Sequence, residues 1–132
     1  QYCRRHMADR GILMRIENAF YKGVPDVNFL IRGIEGWLEL KFLKEFPKKE
    51  NTPVNIPHFT QEQKLWHKER WENHGLTAML LQVDDYYFLF VSDKIALAGH
   101  LSKKGLINNA TKYWRNRINF EEFINILCHK KQ

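Results

Sequence analysis

Three residues whose types suit phosphodiester chemistry lie close together in the first third of the chain. Trp37-Leu38-Glu39-Leu40-Lys41 reads as a strand on which the acid and the lysine share one face, because side chains alternate along a strand. Asp26 follows Pro25 in an apolar segment, where an acid is disfavoured unless it is paired or binds a ligand. Carboxylate and carbonyl oxygens are the ligands that Mg²⁺ and Mn²⁺ prefer.

This set predicts metal-assisted phosphodiester cleavage. Asp26, Glu39 and the Leu40 carbonyl are the expected metal ligands, and a bound cation would polarise the phosphate and activate a water. Lys41 would hold that water or the developing negative charge. A structural alternative stays open, in which Glu39 and Lys41 pair on an exposed strand face and contribute roughly a few tenths of a kcal/mol. The helical connection expected after this strand should cover one of its faces, which favours the functional interpretation.

The elements around these residues alternate between strands and helices. A hairpin with its turn at Gly33–Gly36 is expected to precede a long loop, Phe46–Phe59, and a helix that begins after Thr60. Thr60 and Gln63 have the capping-box spacing. The predicted helices are Tyr2–Arg10, Gln61–His74, a short Ser92–His100 and a last one from Asn119 to about His129; the predicted strands are Ile12–Phe20, Val24–Arg32, Trp37–Leu43, Leu76–Val83 and Tyr86–Val91; Leu101–Asn109 is expected to be irregular.

This order predicts an α/β domain with a mixed sheet. The strand–helix–strand unit from Trp37 to Val83 should pair its strands in parallel. A hairpin symmetric about Gly33–Gly36 puts Asp26 opposite Phe42 or Leu43, which leaves it about 10 Å from Glu39 at ~3.3 Å per residue. A shared metal would then need a bulge or a splayed strand near Pro25.

The spacing of these residues resembles a known nuclease signature. Pro25-Asp26, twelve residues and Glu39-Leu40-Lys41 is similar to the pattern of the PD-(D/E)xK nucleases. The fuller string resembles the VRR-NUC branch, whose small stand-alone members come mostly from phages and bacteria and include Holliday-junction resolvases. That string is Gly23-Val24-Pro25-Asp26-Val27, Trp37-Leu38-Glu39-Leu40-Lys41, Thr60-Gln61-Glu62-Gln63, Trp66 and Gly75.

The resemblance implies a restriction-endonuclease-like mixed β-sheet flanked by helices and Mg²⁺-dependent hydrolysis of DNA. It implies Asp26 and Glu39 as metal ligands, Lys41 as the catalytic lysine and Gln63 as a residue that reaches the site from the helix. Capping alone also explains Gln63. Glu17 is the candidate for the further acid that family members often supply. Branched or junction DNA and a homodimer are the corresponding partner expectations, with the host cytoplasm as the location of a phage-encoded member.

Composition and charge are consistent with one soluble domain that binds an anionic partner. The 132 residues carry 21 Lys and Arg against 15 Asp and Glu, a net charge of +6, and a basic balance favours nucleic acid. The longest apolar run, Tyr86–Val91, is too short to cross a membrane. The two cysteines, Cys3 and Cys128, form no metal-binding motif, which favours a reduced cytoplasmic protein without structural zinc. His67 and His74 have no third ligand placed to complete a metal site and are expected to be surface residues or polar contacts.

Basic residues outside the motif are the candidates for contacts with DNA. Tyr113 and Trp114 lie within the basic stretch from Lys103 to Arg117 and would either stack on bases or anchor the core. The runner-up to the nuclease is a non-catalytic nucleic-acid-binding module on the same fold. The DNA-contact candidates are Lys44, Lys48, Lys49, Lys103, Lys104, Lys112, Arg115 and Arg117.

Overall fold

A computed structural model describes residues 11–16 and 23–130 of the protein. In this part of the chain, six strands form one mixed sheet in sequence order, β1-β2-β3-β4-β5-β6. The strands are β1 Ile12–Arg15, β2 Val27–Ile31, β3 Ile34–Leu43, β4 Thr77–Val83, β5 Tyr86–Val91 and β6 Lys112–Arg115. The helices are α1 Gln61–Glu72, α2 Lys103–Asn109 and α3 Phe120–Lys130, with a 3₁₀ segment at Ser92–Leu97.

The connections confirm the predicted α/β class. Strands β3 and β4 are parallel and are joined through α1, whereas the other neighbours pair antiparallel. The predicted parallel pairing across the helix is therefore confirmed. No helix in residues 11–16 and 23–130 is long and apolar enough to cross a membrane.

The β2–β3 hairpin differs from the predicted one in its turn and its register. Its turn has two residues, Arg32 and Gly33, at φ of 54° and 76°, the left-handed values that a tight hairpin turn requires. Ile31 pairs with Ile34 and Val27 with Leu38, which puts Asp26 next to Glu39 and not opposite Phe42 or Leu43. The prediction of a turn spanning Gly33–Gly36 was wrong.

Packing of the sheet explains why Gly36 is a glycine. A Cβ built there would lie 2.5 Å from Cζ of Phe29, a distance that side chains cannot tolerate. Gly36 therefore marks a crowded position inside β3 and not a turn.

Local capping signals in the sequence are confirmed at two helices. The Thr60 hydroxyl accepts from Gln63 N, and the Gln63 side chain accepts from Thr60 N, so the capping box is complete. Asn119 accepts from Glu122 N at 3.0 Å at the start of α3. Helix α1 ends at Glu72, two residues before the predicted His74, whose φ of 65° is left-handed.

The segment between β5 and α3 is more regular than predicted. Ser102 caps α2 by accepting from Gly105 N, and the fully buried Leu106 anchors the helix, so the prediction of an irregular Leu101–Asn109 was wrong. Strand β6 was not predicted either, and it pairs with β5 from Leu89↔Lys112 onward.

Two apolar layers enclose the sheet. On one face, residues such as Leu38, Leu80 and Leu89 pack with Phe123 of α3. The other face carries alternate residues of the same strands, including Met79, Leu81 and Phe88, under Val54, Ile56, Ile95 and Leu106. Because side chains alternate, Glu39 and Lys41 belong to this second face, beneath the loop that follows β3 and beneath α1.

Some predictions lie outside the described residues. They are the first helix, Tyr2–Arg10, the end of the strand Ile12–Phe20, Cys3 and Glu17. Cys128 is a buried free thiol.

Candidate active site

The structure brings Asp26 and Glu39 together at the open end of the β2–β3 hairpin, away from its turn. Leu40 N donates a hydrogen bond of 2.9 Å to Oδ2 of Asp26, which holds this carboxylate against the backbone of β3. A strand residue directs its N–H and its C=O to the same neighbouring strand, so the Leu40 carbonyl lies on the same side as Asp26. The expected ligand set, two carboxylates and one carbonyl, is therefore gathered without a bulge.

Glu39 is buried, and its environment opposes its negative charge. The residue is 1% exposed. Burial, then the hydrogen bond and negative charge of Asp26, raise the pKa of Glu39 to about 8, with Lys41 acting in the opposite direction. Glu39 therefore holds a proton at neutral pH when no cation is bound.

These properties fit a divalent cation. Oε1 of Glu39 is buried without a hydrogen-bond partner among the described residues, and a cation next to two carboxylates would relieve both their repulsion and this unmet oxygen. The described residues include no cluster of three or more His, Cys, Asp or Glu side chains able to hold a metal. The candidate site therefore offers a pair of carboxylates, Asp26 and Glu39, and not a larger cluster, within the described residues.

Lys41 is held in place from three sides. Its Nζ donates to the His58 carbonyl at 2.9 Å and to Gln63 Oε1 at 3.0 Å, and it lies 3.5 Å from Oε2 of Glu39. The Lys41 side chain is only 8% exposed. This burial overturns the structural alternative of a Glu39–Lys41 pair on an exposed strand face.

Gln63 combines the two roles that the sequence left open. One oxygen atom, Oε1, accepts both from Thr60 N, as the helix cap, and from Lys41 Nζ. The first turn of α1 is in turn packed against Gly23, whose φ is +89° and where a Cβ would lie 2.5 Å from the Glu62 carbonyl oxygen. Gly23 thus lets the segment that precedes Asp26 approach the helix that carries Gln63.

His67 contacts the site, although no part in it was predicted. It is fully buried, its Nδ1 lies 2.5 Å from Thr77 Oγ1, and its Nε2 lies 3.5 Å from Glu39 Oε1. Burial, with the charge of Lys41, lowers the pKa of His67 to about 4, with Asp26 opposing, so the ring is neutral at pH 7. Of the two predicted alternatives for His67, a surface residue or a polar contact, its burial excludes the first and its contact with Thr77 agrees with the second. The signal that points to the site is its position four residues after Gln63, on the same helix face.

The basic candidates do not form one continuous track. Lys49, Lys103 and Lys104 line a cleft of about 400 Å³ together with Phe46, which we call the lysine cleft. Lys103 lies over the Phe46 ring at 4.7 Å.

The other cations are spread over both faces of the sheet. Lys112 lies 3.5 Å from Glu122, and Arg115 lies 3.1 Å from Asp85. Trp114 is a core residue that donates to Glu122 at 2.7 Å, whereas Tyr113 is 40% exposed. Lys44, Lys48 and Arg117 are exposed in loops.

Comparison with known proteins adds no assignment to this geometry. No family model matches the chain, and no match was found among curated proteins. The case for a function depends on the contacts around Asp26, Glu39 and Lys41.

Proposed function

We propose that the protein is a divalent-metal-dependent endonuclease that hydrolyses phosphodiester bonds in DNA, with a site built from Asp26, Glu39 and Lys41. The observation that carries the proposal is the hydrogen bond from Leu40 N to Asp26, because it sets the two carboxylates and the Leu40 carbonyl side by side. The antiparallel β2–β3 hairpin, followed by a helix and a parallel β4, supports the restriction-endonuclease-like sheet of the PD-(D/E)xK nucleases.

Asp26, Glu39 and the Leu40 carbonyl would hold Mg²⁺ or Mn²⁺. The bound cation would supply Lewis-acid polarisation of the phosphate and a water of lowered pKa. Lys41 would place its ammonium against the attacking water or the negative charge that develops on the phosphate. Gln63 and the His58 carbonyl orient that ammonium, since both accept hydrogen bonds from it.

The net charge of +6 and the lysine cleft support DNA as the substrate. Phosphate contacts from exposed lysines are independent of sequence and depend strongly on salt. Branched or junction DNA and a homodimer belong to the same proposal, because two related sites would suit the paired strands of a junction.

A second candidate function is a non-catalytic nucleic-acid-binding module. The burial of the site favours this binding module, because Glu39 is 1% exposed and the Lys41 ammonium already donates to two oxygens.

Plasmid cleavage separates these two functions. Supercoiled plasmid is incubated with the protein in Mg²⁺, in Mn²⁺ or in EDTA. The nuclease converts the plasmid to nicked or linear forms only with metal. A binding module retards the plasmid in a gel in all three conditions and leaves it supercoiled, which would contradict the proposed nuclease.

A further inference from the structure

Two buried polar atoms at the site face each other, and neither has a hydrogen-bond partner in the part of the chain that the structure describes. Oε1 of Glu39 and Nε2 of His67 are the buried side-chain atoms without hydrogen bonds among the described residues. They lie 3.5 Å apart, slightly beyond hydrogen-bond length. Buried polar groups are rarely left unpaired, because each such group loses its hydration without a replacement. A movement of about half an ångström would let each atom satisfy the other.

Thr77 is the hydrogen-bond partner of the other ring nitrogen of His67. Its side chain is fully buried at the start of β4, with Oγ1 2.5 Å from Nδ1 of the ring. A threonine hydroxyl that donates to Nδ1 leaves the ring hydrogen on Nε2. That hydrogen would then lie on the atom that faces Glu39.

We propose that Thr77 and His67 together position Glu39 for metal binding, with the Nε2–H of His67 donating to Oε1 of the ionised carboxylate. The inference rests on the proposed function and deepens it by adding two positioning residues. Oε2 of Glu39, which lies 3.5 Å from Lys41, stays on the side of the lysine. Each oxygen of the carboxylate thereby has a positioning neighbour, in addition to the contact of Glu39 with Asp26.

A purely structural histidine would not need this arrangement. An apolar side chain at position 67 would fill the space between α1 and the sheet without burying an unpaired nitrogen. Hydrogen bonds to metal-binding carboxylates typically change metal affinity by about 10- to 100-fold. A positioning role therefore predicts an effect on metal affinity that exceeds any effect on folding.

The tautomer of His67 tests the inference without any activity measurement. Long-range ¹H–¹⁵N NMR of the full chain, free of metal and above pH 8, where Glu39 is ionised, reports which ring nitrogen carries the hydrogen. We expect the Nε2–H form in the wild type and a loss of this preference in Thr77→Val, which keeps the side-chain shape. An Nδ1–H ring in the wild type would overturn the inference, because Nε2 could not then donate to Glu39.

Metal affinity and cleavage give the second test. Mg²⁺ titrations by calorimetry and single-turnover cleavage are compared in the wild type, His67→Leu and His67→Gln, with His100→Gln as the exposed control. His67→Leu should weaken Mg²⁺ binding by about 10- to 100-fold. His67→Gln should restore part of this loss, since its amide can donate from nearly the same position. Thr77→Val should weaken binding in the wild type and have no further effect in His67→Leu.

The outcomes separate this inference from the proposed function. Full Mg²⁺ affinity in folded His67→Leu and in Thr77→Val, with wild-type cleavage, would overturn the positioning role alone. A wild type that binds Mg²⁺ with the predicted dependence on His67 but never cleaves DNA would contradict the nuclease and support the positioning role.

Discussion

The buried carboxyl of Glu39 makes the stability of the metal-free protein depend on pH in an unusual direction. The pKa of Glu39 is about 8 in the folded chain, against 4.5 when exposed. Between these values the folded state keeps a proton that the unfolded state releases. The free energy of unfolding therefore falls as the pH rises from 4.5 to 8.

His67 limits the range in which this effect can be seen. Its pKa is about 4 in the folded chain, against 6.5 when exposed, so the unfolded state binds the extra proton and stability falls as the pH drops from 6.5 to 4. From pH 4.5 to 6.5 the two slopes oppose each other and cancel. From pH 6.5 to 8 Glu39 dominates. Because the unfolded-state His67 is half titrated at pH 6.5 and the folded-state Glu39 is half titrated at pH 8, the free energy of unfolding falls by about 1 kcal/mol over this range.

Urea unfolding in EDTA at pH 6.5 and pH 8 measures this difference. The wild type should lose about 1 kcal/mol, and Glu39→Gln should lose none, because its amide does not titrate. Glu35→Gln is the matched control, since it changes an exposed acid of the same strand, and it should behave as the wild type does. A wild type with equal stability at both pH values, or a slope that survives in Glu39→Gln, would refute the reasoning.

Three further predictions follow from the same contacts. Mg²⁺ should raise the melting temperature of the protein. The affinity for Mg²⁺ should increase nearly tenfold from pH 6.5 to 7.5, because binding must displace the Glu39 proton. Equal affinities by calorimetry at these two pH values would contradict this. Replacing Lys49, Lys103 or Lys104 of the lysine cleft singly by Gln should weaken binding to DNA and lower the slope of log affinity against log salt by up to ~0.9. Fluorescence anisotropy at several salt concentrations measures this slope, and an unchanged slope would place the phosphate contacts elsewhere. Gly23→Ala should reduce both Mg²⁺ affinity and stability. The control is Gly99→Ala, at a φ of +92° in open space, which should cost about 1 kcal/mol in thermal unfolding and leave Mg²⁺ affinity intact. Equal Mg²⁺ affinities in the two variants would contradict a role for the close approach at Gly23.

The sequence predicted the elements whose signals are local. The capping residues of α1 and α3 were recognisable, because each cap depends on residue types within a few positions of one another. The parallel pairing of β3 with β4 was recognisable from the strand–helix–strand order, because a helical crossover brings the second strand back in the same direction. Pairing of Asp26 with Glu39 was not recognisable from the hairpin alone. Gly36 has the composition of a turn residue, and only the position of Phe29 in the folded sheet shows that it is a packing glycine.

Features that depend on tertiary contacts were missed. His67 resembles an ordinary polar residue of an exposed helix, and its burial results from the way that α1 lies over Thr77 and Glu39. Strand β6 reads as a basic stretch, since only Trp114 among its four residues is buried. The pKa shifts of Glu39 and His67 likewise result chiefly from burial, which is set by tertiary contacts.

The most direct test of the central claim compares cleavage with stability in three variants of the site. Asp26→Asn and Glu39→Gln each remove one ligand charge at nearly constant volume, and Lys41→Ala removes the ammonium; Asp93→Asn and Glu35→Gln are the exposed controls. Metal-dependent plasmid cleavage should fall by roughly 100-fold or more in each site variant, while the controls cleave at the wild-type rate and all five proteins melt cooperatively and bind DNA. Retained cleavage in well-folded Asp26→Asn would contradict the assignment of this site.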